Sequence, residues 1–411
     1  MTPQAIRSDT ADQLFYDAMM VTSHDDPYPT YTRLRETAPV LLTADGTLVL
    51  SGHAGCSAAL RHRSLGKGDE LLGMSFTDIA PDILARITER IGHSMIFANP
   101  PAHTRLRRLV SDQFTNRHVQ ALRHVVTQRA DKLLDQLTAD PAADFVASVA
   151  LPLPLEVIAD LLGVPEEDRE VLLPLARTAS AFTSPDVSAD DLAHAIESET
   201  QTVAHFVGLL ADKRRSPDDD LLSRLVADDQ LTDEEMISTA LLLFGAGFET
   251  TTNLLANGLA ALFANPAQLA RLRADPTLIP TAVEEFLRYD PPIQIDARTV
   301  LEPVTLHEVD LTPGSLVITL LAAANRDPAH FTDPATLDIT RTDNDHLAFA
   351  AGPHYCLGAH LARLEAQITF ERLLTRFPDL QPSPHAPARR PGLAIRGYTS
   401  FPLTLNCGVL P

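Results

Sequence analysis

Cysteine is scarce: 411 residues hold three, Cys56, Cys356 and Cys407. An odd number spread this widely builds no disulfide framework and offers no Cys-x-x-Cys metal pair. Lysine is as rare, at Lys67, Lys132 and Lys213, so arginine carries nearly all the positive charge. Positive charge is itself in deficit, 33 Lys and Arg against 54 Asp and Glu, a formal net of −21. That balance excludes a protein that binds nucleic acid or an anionic membrane through its whole surface. Long apolar runs are missing too. The greasiest stretch, 237–247, is fenced by Asp233, Glu234, Glu235 and Glu249, far short of the ~20 residues that span a bilayer. The opening segment mixes acids among its apolar positions and lacks the continuous core of a signal peptide. A soluble, cytoplasmic protein in a reducing compartment is expected, with neither nucleic acid nor membrane as partner.

What the chain does have is helical periodicity. Hydrophobic residues make up 45% of it, and a chain of this length buries a core without disulfide or metal staples. Its 31 prolines are scattered between periodic segments, where they punctuate helices. The apolar spacing predicts helices over 26–36, 100–111, 117–137, 155–162, 166–182, 189–214, 232–263, 266–274, 280–289 and 358–376. Strand-like alternation is short and local, at 48–50, 304–306 and 316–320. No repeat, low-complexity tract or linker marks a boundary. One domain over 1–411 is expected, mainly α, with small antiparallel β-sheets.

The helix from Thr232 is the most informative. Thr232-x-x-Glu235 reads as a capping box and Pro266 supplies a stop. Its middle reads Gly245-Ala246-Gly247-Phe248-Glu249-Thr250-Thr251-Thr252. Two glycines and three β-branched threonines are poor helix formers, each glycine costing ~1 kcal/mol relative to alanine. Two explanations stand open. Small residues let a neighbouring helix approach closely, or the helix opens locally to admit a ligand and turns hydroxyls toward it.

A second signal is the run Phe349-Ala350-Ala351-Gly352-Pro353-His354-Tyr355-Cys356-Leu357-Gly358. A Gly/Pro loop delivers one cysteine to the start of an amphipathic helix, where unpaired N–H groups favour a thiolate. With no second cysteine nearby, that thiolate suits a single axial bond to haem iron better than a structural zinc site.

This run resembles the haem-binding loop of the cytochrome P450 superfamily, with Cys356 at the ligand position. Ala246-Gly247-Phe248-Glu249-Thr250 is similar to that family's oxygen-activating helix motif, and Glu285-Phe286-Leu287-Arg288 to its Glu-x-x-Arg signature. His103 and Arg107, in Pro101-Ala102-His103-Thr104-Arg105-Leu106-Arg107-Arg108, match the segment that holds the haem propionates in soluble bacterial members. Ala323-Ala324-Asn325-Arg326-Asp327-Pro328 and Asp26-Pro27-Tyr28-Pro29 fit those members as well. The match runs through the whole chain in the family's order. It departs mildly at Ala350, where a glycine is usual, and at Asn99 and Ala102, where acids are common.

The resemblance implies a P450 fold and a haem-thiolate monooxygenase that inserts one atom of O2 into its substrate by hydroxylation or epoxidation. Haem b is the implied cofactor. Cys356 binds the iron in a pocket shaped by Phe349, Gly352 and Gly358; His103, Arg107, Arg298 and His354 hold the propionates. Ala246 leaves room above the iron, and Thr250 with Glu249 guides protons during oxygen activation. Glu285 and Arg288 brace the cysteine side as a buried ion pair, joined by Arg341.

No flavin or nicotinamide fingerprint is present, so electrons must come from elsewhere; the resemblance implies an iron–sulfur ferredoxin and its NAD(P)H-dependent reductase. Arg105, Arg107, Arg108, Arg117, Arg123 and Arg129 face only Asp112 in their stretch, either a solvated helix face or a docking surface for an acidic ferredoxin. The resemblance places substrate walls at 65–97, at Phe182 and the helix after it, and at 243–244, 293–295 and 398–399. Ile96, Leu243, Phe244, Ile293, Ile295 and Tyr398 are the candidate contacts. Their mostly aliphatic character favours a sizeable, largely apolar small molecule, such as a polyketide or macrolide secondary metabolite. A terpenoid, a fatty acid or a carrier-bound amino acid is the alternative. A non-catalytic accessory protein of this fold would have no use for Cys356 and Thr250. A monomer is expected.

Overall fold

Helices carry most of the chain, and the longest of them runs through its middle. The structure, a computed structural model, describes residues 4–19, 25–68, 93–139, 144–169, 171–172, 189–390 and 394–405. Seven helices position the site: α1 (His53–Arg61), α2 (Ala102–Ser111), α3 (Pro152–Leu162), α4 (Ala189–Arg215), α5 (Asp233–Ala264), α6 (Ile279–Tyr289) and α7 (Ala359–Arg376). The α5 helix starts where its capping box requires. Thr232 Oγ1 accepts from the Glu235 N–H, and the Glu235 carboxylate accepts from the Thr232 N–H, both at 3.2 Å. Its second half, with Leu254, Leu255, Leu259 and Leu262, is mostly buried, and α3, α4, α6 and α7 all pack against the helix.

Five strands form the main sheet: β1 (Val40–Leu42), β2 (Leu48–Leu50), β3 (Leu65–Gly66), β4 (Asp296–Val300) and β5 (Leu316–Thr319), in the order β1-β2-β5-β4-β3. The pairings are antiparallel except β2 with β5, which is parallel. The expected antiparallel pattern fails there for a simple reason. A short hairpin forces antiparallel pairing, whereas β2 and β5 are joined by most of the chain and are free of that constraint.

Other differences are equally local. The helix expected over 117–137 is two, Asn116–Ala121 and Arg123–Ala139, parted at Leu122, whose N–H turns back to the Val119 carbonyl. The helices at Asp9–Met19 and α1 are additional. The first N–H of α1, at His53, donates to the Asp327 carboxylate at 2.9 Å across 274 residues of sequence, a cap that no local pattern displays. Of the helix expected over 166–182, residues 173–182 lie outside the described residues, as do Cys407 and the candidate wall segments at 69–92 and Phe182.

Candidate active site

The α5 helix is continuous through its weak centre, so the locally opened helix is not observed. The two glycines do different work. A Cβ on Gly247 would sit 2.6 Å from Ile158 Cγ1, so α3 and α5 approach as closely as they do because position 247 has no side chain. A Cβ on Gly245 would meet nothing within 4 Å, and Ala246 is exposed in the middle of an otherwise buried helix. That side of α5 faces open space. Thr250 lies one turn on and is half-buried, its hydroxyl donating to the Ala246 carbonyl at a long 3.4 Å. Such a contact is weak and leaves the hydroxyl free to turn. Glu249 forms an ion pair with Arg390. Burial raises its pKa and Arg390 only partly opposes that, so it keeps a proton more readily than an ordinary carboxylate.

The cysteine loop is braced from three sides. The Cys356 N–H donates to the Phe349 carbonyl at 2.9 Å, closing the loop on itself. The buried Phe349 ring lies 4.6 Å beneath the Arg363 guanidinium of α7, which forms a two-pronged pair with Glu284 of α6 at 2.7 and 2.8 Å. Gly352, at φ +71°, packs against the Leu60 carbonyl at the end of α1. Gly358 precedes the first residue of α7. Ala350 holds φ +56°, a left-handed conformation disfavoured for any residue with a Cβ. Burial pushes the Cys356 thiol up, while the Gly358 N–H and the guanidinium groups of Arg107 and Arg363 pull the other way. Burial wins, against the expectation that the helix start alone favours a thiolate. A coordinated metal deprotonates such a thiol outright.

Beside this loop lies a cluster of cationic side chains. The rings of His103 (α2) and His354 stand 4.3 Å apart. Burial, then Arg298, His103 and Lys67, lowers His354 to about 3, so its ring is neutral. Burial, Arg107 and Arg298 lower His103 as well. Arg107 donates to the Tyr355 carbonyl at 2.7 Å, one residue before the cysteine. Arg298 is 1% exposed, pairs with Asp296 on its own strand β4, and leaves its buried Nη2 without a partner. Lys67, just past β3, was not anticipated from the sequence. No motif marks it; only the pairing of β3 with β4 brings it here.

Glu285 and Arg288 of α6 are fully buried and joined by two bonds of 2.7 Å. Arg341 adds a third at 3.1 Å and the Asp338 N–H a fourth at 2.9 Å, while Arg288 donates to the carbonyls of Asn325, Pro334 and Thr336. The pair thus ties α6 to the irregular chain over 325–341. A second buried acid had no signal in the sequence. Glu365 of α7 is fully buried with the Thr251 hydroxyl against it, and burial raises its pKa well above the ordinary value, so it is neutral.

The apolar candidates scatter. Leu243 is buried on α5, and Phe244 packs edge-on against Phe206 and near Phe248, toward α4. Ile293 bridges to Ile395, and Ile295 sits half-buried just before β4. Tyr398 is buried under the Arg389 guanidinium at 4.0 Å, its ring edge-on to Phe401. Ile96 is 43% exposed. Two of the expected docking arginines are engaged elsewhere: Arg105 with Glu235 and the Gln230 carbonyl, Arg129 with Glu156 and Asp160.

Comparison with known proteins accounts for this assembly. The cytochrome P450 family profile matches residues 188–391. The chain is 40% identical over 397 residues to cytochrome P450 monooxygenase PikC of Streptomyces venezuelae, covering 93% of this chain and 92% of that one. Its fold matches a solved structure of P450BioI in complex with a hexadec-9Z-enoic acid ligated acyl carrier protein, with a TM-score of 0.87, 35% identity and coverage of 93% and 99%. It also matches the bacillaene polyketide synthase cytochrome P450 PksS of Bacillus subtilis, with a TM-score of 0.83, 32% identity and coverage of 94% and 99%. Matches of this extent and identity leave one conclusion: the chain belongs to the cytochrome P450 family and is a monooxygenase whose cofactor is thiolate-ligated haem iron.

Proposed function

We propose that this monooxygenase oxidises a sizeable, largely apolar small molecule of polyketide or macrolide type, with electrons from an acidic ferredoxin and its reductase. The residues present fit the family's cofactor. A buried guanidinium nitrogen of Arg298 has no partner, the cationic side chains around it outnumber carboxylates, and a thiol stands beside them. Buried charge of one sign is costly unless a counter-charge meets it, and two propionates supply one. Cys356 would bind the iron; His103, Arg107, Arg298 and His354 would hold the propionates. When bound, haem activates O2 with two electrons, so that one oxygen atom enters the substrate and the other leaves as water.

The chain's own residues set the conditions for that chemistry. Ala246 keeps the middle of α5 free of bulk. Thr250, loosely tied to its own helix, offers a hydroxyl that can pass a proton on. Glu249 supplies that proton from a carboxyl whose affinity burial has raised, once its ion pair with Arg390 opens. Exposed Arg108, Arg117 and Arg123 on the chain following His103, with exposed Arg61 and Arg63 at the end of α1 beside Gly352, form a cationic rim suited to an acidic electron donor.

The single observation that carries the substrate reading is the apolar character of the candidate contacts, which pack in separate parts of the core rather than as one wall. Leu243, Ile293 and Ile295 are aliphatic, and the nearest acid on α5, Glu249, is already paired. Kinship with a P450 named for a polyketide synthase supports it. A long acyl chain is the second reading, favoured by the acyl carrier protein complex. The test is the substrate-induced absorbance shift of the haem across a panel of macrolactones, linear polyketides, free fatty acids and acyl carrier protein thioesters. Saturable shifts with macrolactones or polyketides are expected. Shifts with fatty acids or acyl thioesters alone would overturn the reading.

A further inference from the structure

The cationic cluster contains one member with no counterpart in the sequence motifs. Lys67 Nζ donates to Asp296 Oδ1 at 3.1 Å and to the Ala297 carbonyl at 2.9 Å. The same Asp296 oxygen accepts from Arg298. Burial raises the Asp296 carboxyl, yet Lys67 and Arg298 outweigh it and hold the group below the usual carboxylate range, so it is an anion. The lysine is placed with care. Its own N–H donates to Asn99 Oδ1 at 2.8 Å, and the Asn99 amide donates back to the Lys67 carbonyl. The preceding residue must be glycine, because a Cβ on Gly66 would lie 2.2 Å from Asn99 Oδ1. An acid at position 99 could accept from the Lys67 N–H but, ionised, could not donate to its carbonyl as the Asn99 amide does.

The charges then have a definite balance. Lys67, Arg107 and Arg298 are three cations, and Asp296 is the single carboxylate paired among them. The surplus is two positive charges, the complement of two propionates. We propose that Lys67, clamped by Asn99 and shared with Asp296, is a fifth member of the propionate cradle and sets its net charge to match the dianion. The inference rests on the cradle of His103, Arg107, Arg298 and His354 proposed above.

Two readouts besides turnover test it: haem loss to excess apomyoglobin and the ferric/ferrous midpoint potential, each on the holoprotein. Lys67→Gln removes a charge-assisted contact, and haem loss accelerates about tenfold. The potential falls, because the ferrous form carries one electron more and loses a stabilising cation. Asp296→Asn removes the lone carboxylate, and the potential rises. The double variant returns toward the wild-type potential, and Lys67→Arg stays near it. Shifts of the same sign in both single variants would mean disturbed packing rather than charge and would overturn the proposal. Arg298→Gln separates the two levels. If it speeds haem loss and Lys67→Gln does not, Lys67 is outside the cradle; if neither does, the cradle itself is misassigned.

Discussion

Thr250 has a hydroxyl held by one 3.4 Å contact to the Ala246 carbonyl, on the face of α5 that looks onto open space. Replacing it with alanine removes no contact of the cysteine loop or of the cationic cluster. The Thr250→Ala protein should therefore fold, bind haem and bind substrate normally. It should consume reduced nicotinamide through its ferredoxin but release most of the oxygen as hydrogen peroxide, while Thr250→Ser stays coupled. Product per electron pair, measured for substrates with and without hydroxyls, checks this. Unchanged coupling with every substrate would remove Thr250 from proton delivery. Ala350 makes a different prediction. At φ +56° an alanine carries ~1–2 kcal/mol of strain that glycine lacks, while glycine adds ~0.4–1 kcal/mol of unfolded-state entropy. Strain wins by about 0.5–1 kcal/mol, so Ala350→Gly should raise the thermal midpoint of the haem-loaded protein. A lowered midpoint would show that the loop does not bear that strain.

Among the elements, α5 is where sequence and structure can be compared most closely. Its start was legible because a capping box is local, and its length because Pro266 ends it. The purpose of its glycines was not, since spacing alone shows neither the Ile158 side chain opposite Gly247 nor the open space beside Gly245. The close-approach reading holds at Gly247, whereas the local opening does not occur: the helix stays intact beside the open space at Gly245. Gly247→Ala gains ~1 kcal/mol of helix propensity and meets an overpacking cost of ~1–3 kcal/mol. A net loss of about 1 kcal/mol in unfolding free energy is expected. In an Ile158→Ala background, itself destabilised by ~2–5 kcal/mol, the added loss from Gly247→Ala should largely vanish, a coupling of about 0.5–3 kcal/mol between the two sites. Additive effects would show that the helices yield without strain. The Glu285–Arg288 spacing was equally readable, whereas Asp338, Asn344 and Arg341 around it come from a chain whose irregular path no periodicity reveals. Lys67 and Glu365 carry no sequence signal for the same reason: each is a single residue that sheet pairing or helix packing carries to its place.

At the scale of the whole molecule, a net charge of −21 frames a small cationic rim. Contiguity in sequence overstated one part of that rim and missed another. Arg105 and Arg129 are turned to internal acids, while Arg61 and Arg63 join it from a helix end about 50 residues upstream. Charges of this kind are screened beyond ~8–10 Å at physiological ionic strength. With an acidic ferredoxin as the proposed donor, reduction should slow as salt rises, and Arg108→Glu or Arg117→Glu should slow it further at low salt with substrate affinity unchanged. Stopped-flow reduction across a salt series measures this; a salt-independent rate would remove the docking face.

The chemistry of this chain depends on Cys356 as the iron ligand. The direct measurement is the Soret spectrum of the purified protein, reduced and saturated with carbon monoxide. The wild-type chain should show the red-shifted band of thiolate ligation, and Cys56→Ala, which alters a buried thiol bonded to the Leu50 carbonyl, should keep it. Cys356→Ala should abolish it. A red-shifted band that survives Cys356→Ala, or one that disappears in Cys56→Ala while persisting in Cys356→Ala, would contradict the assignment of the ligand.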